Sequence, residues 1–259
     1  MSLRGDYSLA AADFSVEQDW NAYSAGEHAL FRGLFERQAR LVPRYACREW
    51  IDAIAALDAG TEIPKFDRVS RKLKSKTGWE IVAVPGLIPD EAFFTHLANR
   101  RFPVTVWLRK PEEFDYIVEP DVFHDFFGHV PLLFDRIYAD HLRDYGQGGL
   151  KAMRLDAVKM LARLYWYTIE FGLMNTAEGV RAYGAGLISS GGELAYCIDD
   201  PSPRRLAFDL ERALRSNYQI DRYQSTYFVI DSFEQLMRET APDFTPIYDR
   251  LRALPALAP

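Results

Sequence analysis

Cysteine is scarce in this chain of 259 residues: there are two, Cys47 and Cys197, far apart and in no Cys-x-x-Cys arrangement. That excludes a disulfide framework and suits a reducing compartment. Clustered basic residues are missing as well. Lys and Arg number 31 against 37 Asp and Glu, a net charge of -6, so the electrostatic footprint for nucleic acid or an anionic membrane is absent. No apolar run approaches the ~20 residues needed to cross a bilayer. Residues 1–18 carry acids and no uninterrupted apolar stretch of the secretory-signal kind. The expectation is a cytoplasmic protein with neither nucleic acid nor membrane as partner. Internal repeats, low-complexity tracts and Gly/Ser or charged linkers are also lacking. A chain of this length buries a substantial core, and with no linker to divide it a single domain over 23–259 is the simplest reading. Residues 1–22 have few periodic apolar positions and read as a loose arm.

What is present is mostly helical patterning. Ala29, Leu30, Leu34, Phe35 and Ala39 recur at helical spacing over Ser24–Leu41, with Pro43 as the stop. Further helices are expected at Cys47–Leu57, closed by Asp58-Ala59-Gly60, at Asp67–Lys76 before Thr77-Gly78, and at Pro89–Asn99. Glu80–Pro85 and Val104–Leu108 are short and rich in β-branched residues, the signature of strands. The longest helix is expected at Leu155–Met174, with a buried aromatic middle that includes Tyr165. Gly191–Tyr196, Ala207–Arg215 and Ser232–Thr240 read as short helices, and Tyr227–Ile230 as a strand. The class implied is α+β, predominantly α-helical.

The chemistry concentrates in Glu119-Pro-Asp-Val-Phe-His124-Asp-Phe-Phe-Gly-His129-Val-Pro131. Two imidazoles five residues apart point about 140° from each other on an ideal helix. Gly128 offers a way round this, by ending a helix and swinging His129 back beside His124. The competing reading makes both histidines core residues bonded to backbone carbonyls. Glu170, in Trp166-Tyr-Thr-Ile-Glu170-Phe-Gly, is the candidate third ligand, because an unpaired ionised carboxylate among such neighbours is costly. A salt bridge to Arg163 is its alternative role. Two imidazoles and one carboxylate form the facial set of non-haem iron(II) oxygenases, leaving three positions open. The same set also serves catalytic zinc, so composition alone leaves the metal undecided.

EPDVFHDFFGHVPLL, followed by ARLYWYTIEFGL, YGAGLISSGGE and YQSTYFVIDSF, resembles the catalytic domain of the tetrahydrobiopterin-dependent aromatic amino acid hydroxylases, most of all the bacterial members that act on phenylalanine. The likeness runs from about residue 20 to 245 with motifs in one order. It implies Fe(2+) held by His124, His129 and Glu170, a tetrahydrobiopterin or related tetrahydropterin, and O2 as co-substrate. Arg109 matches the arginine that clamps the amino acid carboxylate through paired charged hydrogen bonds, and Asp121 the acid that orients it. Ser189 and Glu193 match residues around the iron and substrate. Phe93 matches the ring that stacks on the pterin, in the segment that begins Gly86-Leu87-Ile88.

Trp166 matches a ring-pocket tryptophan kept by phenylalanine and tyrosine hydroxylases and replaced by phenylalanine in tryptophan hydroxylases. Ile220 aligns with a position apolar in phenylalanine hydroxylases and acidic in tyrosine hydroxylases. Both imply L-phenylalanine as substrate and L-tyrosine as product, a phenol there leaving its hydroxyl unpaired. Hydroxylation at the 3-position, or of tyrosine or tryptophan, remains the alternative within the family. A zinc hydrolase is the rival outside it, and the chain has no His-Glu-x-x-His motif. A non-catalytic helical interaction protein is a further rival. The length leaves room for neither the regulatory domain nor the oligomerisation helix of the animal enzymes, which implies a monomer. Ile117-Val118 stand where many animal members have Thr-Pro, and Gly191-Gly192 stand where bulkier residues are common, which implies a looser pocket floor.

Overall fold

Residues 4–57 and 59–259 are described by the computed structural model. Asp58, expected to help close the second helix, and residues 1–3 of the expected arm lie outside the described residues. Helix α1 (Ala25–Tyr45) opens on a capping box: Ser24 Oγ accepts from the Glu27 N–H at 3.2 Å, and the Glu27 carboxylate accepts from the Ser24 N–H at 2.8 Å. Pro43 lies inside this helix rather than ending it. So near the C-terminus a proline costs one backbone bond, and the helix stops two residues later. Helix α2 (Arg48–Leu57) follows, then α3 (Phe66–Thr77), which Gly78 closes in the left-handed conformation at φ 80°.

Strands β1 (Glu80–Val84) and β2 (Arg101–Thr105) pair in parallel around helix α4 (Asp90–Ala98), with Glu80 opposite Arg101. β2 begins three residues before the expected Val104, in a stretch that contains Pro103. The proline is tolerated because this sheet has two strands and β2 keeps a free edge. Helix α5 (Arg136–Arg154) is absent from the expected set, since Gly146, Gly148 and Gly149 weaken its signal. Two of these glycines bring α5 against α4: a Cβ at Gly149 would lie 2.1 Å from the Phe94 ring, and one at Gly146 2.4 Å from the Ala98 nitrogen.

The long helix expected over 155–174 is broken. It comprises α6 (Val158–Tyr165), a π-helical turn over Trp166–Glu170, and the first residues of β3 (Leu173–Thr176). Gly172 makes the break compact, because a Cβ there would meet the Thr168 carbonyl oxygen at 2.3 Å. Then come β4 (Gly179–Ala182), α7 (Ala185–Ser189), α8 (Glu193–Asp199), β5 (Arg204–Ala207), α9 (Leu210–Arg215), β6 (Thr226–Ile230), α10 (Phe233–Thr240) and α11 (Thr245–Arg252). The helix expected over 207–215 is therefore the end of a strand followed by a shorter helix. The second sheet has the order β4-β3-β6-β5, with β6 parallel to both neighbours.

Phe31, Trp50, Phe123, Phe126, Phe127, Tyr138 and Ile169 are buried at the centre, so the helices enclose the segment that carries the two histidines. Residues 4–19 have no helix or strand, yet they are fastened to the body rather than loose. The Val16 N–H donates to Ala83 O at 2.9 Å, and the Gln18 amide donates to Pro64 O and accepts from the Phe66 N–H. The Tyr7 hydroxyl donates to Leu87 O, and Arg101 pairs with Asp13. The class read from the sequence, α+β and predominantly helical, is the observed one. Among the described residues no helix is long and apolar enough to cross a membrane.

Candidate metal centre and adjoining cavity

His124 and His129 occupy one π-helical turn, His124–His129. Such a turn bonds residues five apart, so positions i and i+5 come onto one face. Gly128 does not end a helix: Val130 continues in right-handed conformation (φ -62, ψ -36), and Gly128 has no positive φ. Its role is close packing, since a Cβ there would lie 2.8 Å from the Ala185 carbonyl oxygen on α7. The second π turn, after α6, presents Glu170 to the same spot. His129 Nε2 is 3.2 Å from Glu170 Oε1 and His124 Nε2 is 3.7 Å from Oε2. The three donor atoms lie within 4.8 Å of one another. Arg163 does not reach Glu170; it bonds Leu214 O at 3.2 Å and Asn217 Oδ1 at 2.7 Å.

The protonation states suit a cation. Burial pushes the His124 imidazole down to about 4 against the opposing pull of Glu170, so it is neutral near pH 7. Burial alone would raise the Glu170 carboxyl. The two imidazoles and a hydrogen bond from Tyr165 outweigh it and hold the group below its ordinary value. The His124 tautomer follows from Ser189, whose Oγ lies 2.9 Å from His124 Nδ1. The same hydroxyl donates to Ala185 O at 2.9 Å, so it accepts from Nδ1–H and leaves Nε2 as a free lone pair toward Glu170. Two imidazoles and one carboxylate fit a divalent first-row metal, and no thiol stands among them.

A cavity of about 280 Å³ opens beside these donors, lined by His124, Glu170, Arg109, Trp166 and Ser189 among others. Arg109 and Asp121 form its buried ion pair. Arg109 Nε donates to Oδ2 at 2.8 Å, Nη2 to Oδ1 at 2.9 Å, and the Arg109 backbone N–H to Oδ2 at 2.9 Å. Asp121 Oδ1 also accepts from the His124 N–H at 3.0 Å, so one carboxylate orients both the guanidinium and the π turn. Trp166 stacks on Tyr218 with ring centres 4.3 Å apart, and its Nε1–H donates to Gln224 Oε1 at 3.0 Å. Glu193 is buried, which raises its carboxyl, and it accepts from the Gln224 N–H and the Tyr227 hydroxyl.

Ile220 stands at the cavity mouth, 63% exposed, with its carbonyl accepting from the Tyr116 hydroxyl at 3.2 Å. The pocket floor is not loosened by Gly191-Gly192. A Cβ at Gly192 would lie 2.0 Å from the Tyr223 hydroxyl and one at Gly191 2.9 Å from the Arg37 guanidinium, so those side chains fill the space. Phe93 meets Tyr165 edge-on at 5.8 Å, and Tyr165 lies 6.3 Å from the His129 ring. Gly86, Leu87 and Ile88 do not line this cavity; Gly86 packs under Tyr7 and Arg4. The sequence offered Tyr165 only as an apolar residue of a helix and gave no sign of Gln224 or Tyr116 as cavity residues. None of the three belongs to a metal-ligand or charge pattern.

Two histidines, one carboxylate and an open cavity beside them make the donor set of the two-His, one-carboxylate metal enzymes. Residues 9–250 match the biopterin-dependent aromatic amino acid hydroxylase family, and the chain belongs to that family. It is 55% identical over 94% of its length, and 78% of the relative's, to a phenylalanine-4-hydroxylase of Ralstonia nicotianae. It is 39% identical to human tyrosine 3-monooxygenase over 82% of this chain and 40% of that one. Among solved structures, the iron- and phenylalanine-bound phenylalanine hydroxylase of Chromobacterium violaceum superposes with a TM-score of 0.93 at 53% identity, covering 97% of this chain and 92% of that chain.

Proposed function

We propose that this protein is a phenylalanine 4-hydroxylase, converting L-phenylalanine to L-tyrosine with ferrous iron, a tetrahydropterin and O2. The observation that carries the reading is that one cavity is lined by His124, Glu170 and Arg109, with His129 completing the donor set beside it and Asp121 clamping the arginine. When bound, iron and tetrahydropterin supply the activation of dioxygen, from which one oxygen atom enters the ring. The chain's own work is positional. Arg109, oriented by Asp121, offers a guanidinium fork for the substrate carboxylate. Trp166 and Ile220 bound the ring end, where the indole N–H is already committed to Gln224 and offers nothing to a phenolic hydroxyl. Phe93 and Tyr165 provide the aromatic surface beside the ligands for the pterin, with Gly86-Leu87-Ile88 leading into it. Ser189 holds the His124 tautomer and Glu193 braces the wall from behind.

That bacterial relatives aligned over more than nine-tenths of this chain are phenylalanine-4-hydroxylases supports the ring position. The reading includes a monomer in the cytoplasm, a reducing compartment that two buried free thiols suit. The test is an aerobic assay with ferrous iron, a tetrahydropterin and L-phenylalanine, resolving the tyrosine isomers. para-Tyrosine is the expected product. meta-Tyrosine would overturn the ring position, and no hydroxylated amino acid from an iron-loaded chain would overturn the substrate.

A further inference from the structure

Gln224 is 4% exposed, and each polar atom of its side chain is engaged. Its Oε1 accepts from Trp166 Nε1 at 3.0 Å. Its Nε2 donates to Gln219 O at 2.8 Å and Arg222 O at 3.2 Å, and its backbone N–H donates to Glu193 Oε1 at 2.8 Å. The amide has one possible orientation, because an indole N–H only donates and carbonyls only accept. One residue thus joins three walls of the cavity. These are the π turn that carries Trp166 and Glu170, the start of α8 at Glu193, and the chain 219–222 that bears Ile220 at the mouth. Tyr218, stacked on the Trp166 ring at an interplanar angle of 13°, ties the same stretch to the indole from its face.

Building on the function proposed above, we infer that Gln224 is a positioning residue. It sets the plane of Trp166 and holds residues 219–222 over the cavity, and so determines how well the substrate ring is placed. A buried amide satisfied at both ends makes its partners rigid, whereas a lost partner leaves the others unpaired. Without it the indole and the cover move independently, the ring is captured less often, and water enters. The tetrahydropterin is then oxidised without a matching yield of tyrosine.

The test compares the iron-loaded full chain with Gln224→Met, which keeps length and removes the amide. Tyrosine formed per tetrahydropterin oxidised should fall at least about twofold, and KM for L-phenylalanine should rise about tenfold. Iron content and KM for the pterin should stay unchanged. In a Trp166→Phe background, which has no indole N–H, the same change should produce less than half of that effect. Gln224→Glu retains the acceptor and, while protonated, one donor, so its coupling should improve as pH is lowered; it serves as the measure if Gln224→Met does not fold. Solvent exchange of the Trp166 indole N–H, followed by NMR in the resting protein, should accelerate in Gln224→Met. Wild-type coupling and KM in Gln224→Met, or an equal effect in both backgrounds, would overturn the inference. A wild-type chain that forms no tyrosine would instead overturn the function on which it rests.

Discussion

Ser189 Oγ receives the Nδ1–H of His124 at 2.9 Å while giving its own proton to the Ala185 carbonyl at the same distance. The ordering of donors is forced, and it fixes which imidazole nitrogen faces Glu170. Ser189→Ala removes the acceptor and leaves Nδ1–H buried and unpaired, so the ring can turn or change tautomer. Ferrous iron should bind about 10–100-fold more weakly, as is usual when a ligand's outer partner is lost. Competition against a coloured chelator measures this directly. An unchanged affinity would show that the hydroxyl does not set the tautomer.

Metal removal should read out on stability as well as turnover. A ligand that binds only the folded chain stabilises it by about 3 kcal/mol at a hundredfold excess over Kd. Ferrous iron added under anaerobic conditions should therefore raise the melting temperature of wild type by several degrees, and chelator should reverse it. Glu170→Gln and His129→Ala should fold, gain nothing from iron and make no tyrosine. A full thermal shift in either variant would remove that residue from the ligand set.

How far the site was legible depends on periodicity. His124, His129 and Glu170 were visible as residue types in aromatic surroundings, and the family resemblance assigned them. Their arrangement was not visible, because both segments are π turns and a 3.6-residue template puts His124 and His129 on different faces. The same template ran α6 on through Glu170 into β3. Helix α5 was hidden for another reason: Gly146 and Gly149, which weaken a helix locally, are demanded by the approach of α4. Arg109 follows the expected strand Val104–Leu108 and carries no local signal of burial, and only tertiary structure buries it against Asp121 twelve positions later. Gln224 carries no signal at all, since its importance lies in four partners from different parts of the chain.

The Arg109–Asp121 pair should behave asymmetrically on substitution. Asp121 accepts from the Arg109 backbone and side chain and from the His124 N–H, so Asp121→Ala strips a buried guanidinium of its counter-charge and frees the π turn. Removal of one partner from a buried ion pair costs about 3–5 kcal/mol. Asp121→Ala should show that loss in urea unfolding together with a raised KM for phenylalanine. Arg109→Lys keeps charge but loses the fork, so KM should rise about tenfold with a smaller loss of stability. If Arg109→Lys raised KM for the pterin more than KM for phenylalanine, the clamp would be misassigned.

A histidine remote from the proposed metal ligands should make the fold acid-sensitive. His141 on α5 is buried beside a separate cavity of about 380 Å³, between α5, α6 and α10. Thr240 Oγ1 donates to Leu236 O, so it accepts from His141 Nδ1–H at 3.1 Å, and Nε2 has no bonding partner among the described residues. Burial pushes this imidazole down from 6.5 to about 4. Between those values the unfolded chain binds a proton that the folded chain refuses, so stability rises with pH there and is lost as pH falls. The full loss is about 3 kcal/mol by the time the folded-state value is reached. His141→Gln keeps a donor for Thr240 but does not titrate. With chelator present in both samples to remove any effect of iron release, wild type should lose stability more steeply than His141→Gln on acidification. Parallel stability curves for the two proteins would mean that His141 is protonated in the folded state.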